Sequence, residues 1–566
     1  MKTRPSIHGP RIPCWLAAAL AATVMGASPG VARAQPAESA TPDAPTGNPQ
    51  FDIWEYRVLG NTLLDARSIE TAVYAHLGPG KSIDDVQQAR GALELAFRSA
   101  GYGTVYVDIP EQDTADGIVR LQVTEGRLDR VRITGARYFL NGRIRERMPA
   151  LQSGTVPSLP VLQEQLARVN AENPDRSITP VLRAGRTPGT VDLELRVKDK
   201  LPLHGSLEVN DRYSADTSET RLAANLSYGN LFQRNHSLSL QYQIAPQEPD
   251  ESRVFAATYV APLTPSDLLA VYAVDTQSDV AALGTLSVLG NGRIYGARYI
   301  RLLRGSDASF HNLTVGFDFK DFAESIRLDA AGDSIDTPIQ YGAWSLVYAG
   351  GTRSERWRST WSAGAFFGLR GLLNDPAEFY AEQRDPLAPG NPPDPVGKRI
   401  GAKPNYFYLR GSGSLEGALP RGFTVALRLS GQVTTEPLIN NEQFSIGGAD
   451  SVRGYLEAEQ LGDIGLSGSL ELRGPNMATW LGTLVQDARL FLFYDAGVVS
   501  LVDPGENVTA NPEQVSRFDL ASVGAGLRFR GLSGLEAALD WAYPLVPSTR
   551  VRDGDSRVHF SVKYGF

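Results

Sequence analysis

The chain has 566 residues, enough for two to four domains, and carries 63 acidic residues against 55 basic ones. Four of the basic residues and none of the acidic ones lie in residues 1–34; without that segment 51 basic residues face 63 acidic ones, a net charge of −12 that argues against nucleic acid as a partner. The single cysteine, Cys14, lies in the same segment, so the rest of the chain has no thiol for a disulfide or a metal.

Residues 1–34 read as a secretory signal peptide. Lys2, Arg4 and Arg11 form a positive start, 15–25 is apolar but too short to cross a bilayer as a helix, and Ala32-Arg33-Ala34 is a small-residue cleavage site. Residues 35–50 are rich in Pro, Ala and small polar residues and read as a disordered linker. No later stretch has 18 consecutive apolar residues, so no transmembrane helix is expected.

From residue 51 the pattern becomes that of a small α+β module. The residues predict a strand over 51–59, a helix over 66–77 capped by Asp65 and stopped by Gly78, and a second helix from Ser82 with a near capping box at Asp85. Val86, Ala89, Leu93, Ala96 and Phe97 give that helix its apolar face, and strands follow at 104–109 and 118–123. The order then recurs: a strand over 128–134, helices over 141–151 and 159–171, and strands over 178–183 and 190–197. Two such modules account for residues 51–126 and 127–200.

Beyond residue 203 short segments alternate strictly. Phe423, Val425, Leu427, Leu429 and Val433 oppose Thr424, Arg428, Ser430 and Gln432, and Leu535, Ala537, Leu539, Trp541 and Tyr543 oppose Glu536 and Asp540. The same holds at 238–244, 313–320 and 558–566. Some 364 residues of such strands have no helical layer to cover them. Charges on one face and apolar residues ending in aromatics on the other are the signature of a transmembrane barrel, which lipid forces to close because every backbone group must be paired. Long polar stretches at 371–404 and 502–517 read as extracellular loops, and Pro420-Arg421-Gly422 as a tight turn.

No catalytic pattern emerges. Gly78-Pro79-Gly80-Lys81-Ser82 resembles a phosphate loop, but the motif needs glycine at position 75, where Ala75 stands; it reads as a turn between helices. The six histidines have no metal-ligand spacing, there is no G-x-S-x-G, and Glu536 and Asp540 read as carboxylates facing a solvated lumen. The reading is therefore of a protein that is not an enzyme and needs no cofactor or metal.

One stretch departs from alternation. In 438–455 the double glycine Gly447-Gly448 precedes Val452-Arg453-Gly454-Tyr455, a lone cation among apolar residues. If this loop folds into the barrel, Arg453 needs a partner, since an unpaired buried charge is costly. The candidate is Asp495, the one polar residue of 491–498, with Gly497 leaving space beside it. An arginine–carboxylate pair can be bidentate and would pin the loop to the wall.

These residues resemble a known family. Val452-Arg453-Gly454-Tyr455, with Phe444 and Gly447-Gly448 before it, looks like the signature loop of the outer-membrane translocase/insertase superfamily, and Phe493-x-Asp495-x-Gly497 looks like its partner strand. Val58-x-Gly60-Asn61-Thr62, Val123-x-Glu125-Gly126-x-Leu128 and Asn173-Pro174-x-Arg176 resemble the two POTRA domains of two-partner secretion transporters of the ShlB/FhaC/HecB type. The resemblance implies two α+β POTRA domains in the periplasm, a barrel of sixteen strands over 203–566 in outer-membrane lipid, and export of a large secreted passenger protein captured unfolded by the POTRA domains. POTRA sheet edges can pair with an extended chain by β-augmentation. Relatives often carry an N-terminal plug helix, for which 35–50 shows no helical pattern. The alternatives are a factor that assembles other barrels and a passive porin.

Overall fold

The computed structural model describes residues 50–566 except 216, 279, 284–285, 307, 324, 328–333, 337, 381–397, 400, 504–515, 549 and 553. The expected signal peptide, the linker but for Gln50, and much of the loops at 371–404 and 502–517 lie outside the described residues.

The first module is built on a three-stranded sheet in which Ile118–Glu125 runs parallel to Glu55–Leu59 and antiparallel to Val105–Asp108. The strand expected over 51–59 divides at Trp54. Its first part, Phe51–Ile53, instead pairs with Gly78–Lys81. The expected turn at 78–82 is thus largely a strand, and the first helix ends early as Ala66–Val73 followed by a 3-10 turn over Tyr74–His76. That pairing joins residues some 27 apart, a contact that local sequence pattern does not carry.

The helix Ile83–Ser99 buries Val86, Ala89, Leu93 and Phe97 against the sheet. Its start is closed by Asp85, which accepts from the Ser82 backbone N–H and hydroxyl at 2.9 Å each. These two donors, the backbone first, hold the Asp85 carboxyl below the usual carboxylate range. Asp85→Ala removes the acceptor for both and should fray the start of this helix, read as faster amide exchange in its first turn alone.

The second module repeats the plan: Thr190–Asp199 lies between Arg127–Thr134, parallel, and Arg176–Ala184, antiparallel. Its first helix is Asn141–Glu146, shorter than the expected 141–151. Pro149 explains the stop, because the residue before proline is driven out of the helical region, and Met148 and Leu151 turn into the core instead. The other helix, Leu159–Ala171, buries Leu162, Leu166 and Val169.

Asn173 and Asp175 join this module to the strands beyond residue 203, and Arg176 braces them from within the module. Arg176 is buried over the Phe139 ring and donates to the Val169 carbonyl at 2.7 Å, while Asn173 Nδ2 reaches the Gly229 carbonyl at 3.1 Å and Asp175 lies 2.9 Å from His204. Gln233 Nε2 donates to the Tyr138 carbonyl at 3.0 Å. The second module is therefore seated on the turn after the strand Arg221–Leu231.

Sixteen antiparallel strands close into a barrel, the first, Leu203–Asn210, pairing both with Arg221–Leu231 and with the last, Arg557–Gly565. Closure leaves no free edge. The alternation divides the side chains as the residue pattern predicts. In Thr424–Thr434, Leu429 and Val433 are exposed on the outer surface while Ala426 and Gln432 are buried inside; in Leu535–Pro544, Leu539 and Trp541 face out and Asp540 and Ala542 face in. Long connections gather at the end away from the N-terminal modules.

Candidate functional site

Residues 435–463 connect the strands Thr424–Thr434 and Ile464–Arg473, and they turn into the lumen. A short antiparallel pair, Phe444–Ile446 with Gln460–Gly462, forms the stem. The tip depends on Gly447 and Gly448, whose φ angles of 106° and 101° lie where glycine is favoured. A Cβ on Gly447 would stand 2.6 Å from the Leu456 carbonyl oxygen, so the chain can close here only without a side chain.

Arg453 is 1 % exposed. Its Nε donates to Asp495 Oδ2 at 2.7 Å and its Nη2 to Asp495 Oδ1 at 2.9 Å, a bidentate fork, and its backbone N–H reaches the same Oδ2 at 3.2 Å. Nη2 also donates to Ser469 Oγ at 3.1 Å. Nη1 stands 3.0 Å from Glu471 and 3.5 Å from Asp540, near enough for charge pairing although not aligned for a hydrogen bond. The guanidinium lies over the Phe493 ring at 3.5 Å from its centre. Asp540 is itself buried and bonded to Arg528, which stacks on Phe491 at 4.5 Å. The expectation of Asp540 as a carboxylate in open lumen water is thus corrected: Arg528 on the adjacent strand and the incoming loop enclose it. Glu536 remains exposed and pairs with Arg530 at 2.8 Å.

The neighbours of Arg453 are held as firmly. Val452 is fully buried, and a Cβ on Gly497 would come within 3.0 Å of its Cγ2 and 3.2 Å of Ile446 Cγ2, so the wall glycine makes the seat for the loop. Gly497→Val should lift the stem away from the wall and weaken the Arg453 fork, measured as new protease cleavage within 440–460 in an otherwise assembled barrel. Gly454, at φ 94°, donates its N–H to His559 Nε2 at 2.9 Å. That bond assigns the ring proton to Nδ1, which lies 3.0 Å from Asp211 Oδ2. The Tyr455 hydroxyl lies 2.6 Å from the Val546 carbonyl and 2.9 Å from that of Ala521.

Two further anchors lie in loop residues that no pattern singles out. Glu442, 3 % exposed, receives Lys320 Nζ at 2.5 Å, the Tyr341 hydroxyl at 2.6 Å and the Tyr408 hydroxyl at 2.7 Å. Gln432 Nε2 adds a bond to the Glu442 carbonyl at 3.1 Å. Asp463, fully buried at the loop's end, accepts a bidentate pair from Arg399 at 2.6 and 2.8 Å and the Leu438 and Val502 amides at 3.0 and 2.7 Å. Strand parity could have placed Ser469 and Glu471 on the inner face, two residues apart and facing Asp495. Glu442 and Asp463 left no such signal.

No group of three or more His, Cys, Asp or Glu side chains among the described residues is arranged to hold a metal ion.

A closed antiparallel barrel entered from N-terminal α+β modules is the architecture of an outer-membrane barrel protein with POTRA domains. The model of ShlB-type POTRA domains matches residues 51–126, and that of the haemolysin secretion/activation proteins ShlB/FhaC/HecB matches 189–336 and 349–529. The chain belongs to this ShlB/FhaC/HecB family of outer-membrane secretion/activation proteins, a family of transporters with the barrel in the outer membrane and the POTRA region in the periplasm. Among curated proteins it is similar to the outer membrane transporter CdiB of Dickeya dadantii, 24% identical over 184 residues. That match covers 32% of each chain, so the aligned part spans about a third of the relative. Its fold is similar to that of CdiB from Escherichia coli, with a TM-score of 0.55, 18% identity and 93% of each chain covered. It is equally similar to BamA from Haemophilus ducreyi lacking POTRA domains 1-3, with a TM-score of 0.55, 15% identity, 91% of this chain and 100% of the other covered. The fold alone therefore does not separate a transporter from an assembly factor.

Proposed function

We propose that this protein is the outer-membrane pore of a two-partner secretion system, exporting a large secreted passenger protein that its periplasmic domains receive unfolded. The observation that carries the reading is that ShlB-type matches cover both the first module and most of the barrel. The passenger would pair with exposed sheet edges of the modules, and its folding outside would drive transport, with no cofactor and no catalytic residue. Arg453, with the motif residues Gly447, Gly448, Val452, Gly454 and Tyr455, would clasp the loop to Phe493, Asp495 and Gly497. The clasped loop crosses the lumen, so passage of a chain requires it to shift. A passive porin has no use for such a loop and modules, and an assembly factor would act on other barrels.

Deleting the gene in a strain that secretes a large exoprotein through this system should stop that exoprotein reaching the medium. Porins should still show normal heat-modifiable mobility. Defective porin assembly with normal exoprotein release would support the assembly factor instead.

A further inference from the structure

Six of the seven connections at the module-facing end of the barrel have five residues or fewer, but 474–484 has eleven. From Gly474 to Gln486 there is no charged residue, although Arg473 and Asp487 flank the run. The segment is ordered by its own bonds. Asn476 Oδ1 accepts the Ala478 and Ala488 amides at 2.9 and 3.0 Å, and the Met477 amide reaches the Ala488 carbonyl at 2.8 Å. These bonds fix a short helix, Ala478–Leu481, whose Ala478 is buried. The large side chains then point outward: Trp480 is 81 % exposed, Leu484 66 % and Leu481 56 %.

None of the described residues covers this surface, and apolar area left in water is unfavourable. It is continuous with the barrel's membrane face. The adjoining strands Ile464–Arg473 and Val485–Ser500 expose Leu470, Leu472, Leu490 and Leu492 on the lipid side, while their charged residues Arg473, Asp487 and Arg489 line the lumen. Tryptophan favours the level of the lipid headgroups, and an uncharged turn with one tryptophan and flanking leucines fits that boundary.

We infer that 477–484 is a membrane anchor whose Trp480, Leu481 and Leu484 insert into the phospholipid leaflet on the periplasmic side. Interfacial tryptophans set the depth and tilt of the elements that carry them. The two strands fixed here are the ones that present Ser469, Glu471 and Asp495 to Arg453. The anchor therefore holds the wall that receives the loop at a set height in the bilayer. The inference rests on the outer-membrane location and not on the passenger.

The test uses the exported protein, modules and barrel together, whose residues after 34 contain no cysteine, purified into phospholipid nanodiscs that leave both barrel ends open to solvent. A bimane label on Leu481→Cys should be quenched by a phospholipid spin-labelled near its headgroup and should be shielded from iodide. A label on Arg356→Cys, in another turn at the same end, should show the reverse. The scaffold belt lies at the rim of the disc and no partner protein is added, so shielding from iodide together with quenching by the spin-labelled lipid reports lipid. Iodide quenching at 481 equal to that at 356, without quenching by the spin-labelled lipid, overturns the anchor and leaves a protein partner as the occupant. Trp480→Cys gives the same reading at a second position if the first variant fails to assemble.

Discussion

Arg453→Ala should abolish export of the passenger while leaving a full-length, heat-modifiable barrel in the outer membrane. The substitution removes the shared cation of a buried cluster and leaves Asp495, Glu471 and Asp540 together with only Arg528, Arg428 and Arg473 at its margins. Breaking a buried ion pair by deleting one partner costs roughly 3–5 kcal/mol. That penalty falls on the docked loop and not on the strand ladders, whose backbone bonds are untouched. The tip should leave its seat, and the lumen should conduct ions more freely in a planar bilayer. Arg453→Lys should be intermediate: it keeps the charge but not the planar fork that reaches both oxygens of Asp495 and Ser469 at once. Asp495→Asn should be milder than Arg453→Ala, because Glu471 and Asp540 still face the guanidinium at 3.0 and 3.5 Å. Normal export and parental conductance in Arg453→Ala would remove the clasp from the mechanism.

Some of this arrangement is written in local pattern and some is not. Asp495 stands alone among Phe491, Leu492, Phe493 and Tyr494, and a single carboxylate on an apolar strand invites a cationic partner; the period of two puts Phe491, Phe493 and Asp495 on one face without any structure. The glycines at 447, 448 and 454 mark backbone that other residues resist. Glu442 offers nothing comparable, since Asn440-Asn441-Glu442-Gln443 reads as a polar turn. Its burial comes from Lys320, Tyr341 and Tyr408 on three strands far along the chain, and pairing across such distances is set by barrel closure and not by neighbours. The division of 51–59 at Trp54 has the same cause. The sheet register there is decided by Gly78–Lys81 and Ile118–Glu125, one partner for each half.

Glu442 makes the second large effect. Its partners lie on the seventh, eighth and tenth barrel strands, whereas Arg453 is held by the twelfth, thirteenth and fifteenth, so the loop is tied to two different arcs of the wall. Glu442→Gln preserves the shape but leaves the Lys320 ammonium without a counter-charge, and its amide NH2 faces donors where a carboxylate oxygen accepted. An uncompensated buried partner costs on the order of 3 kcal/mol. The first arm of the loop should loosen while the Arg453 tip stays seated, and conductance should rise only slightly. With Arg453→Ala in the same chain both ties are lost, and conductance should exceed the sum of the two single effects because either tie alone still holds one arm of the loop against the wall. Lys320→Met together with Glu442→Gln should recover part of the loss, since it removes the stranded charge. A Glu442→Gln barrel that conducts like the parent in both backgrounds would remove Glu442 from the restraints on the loop.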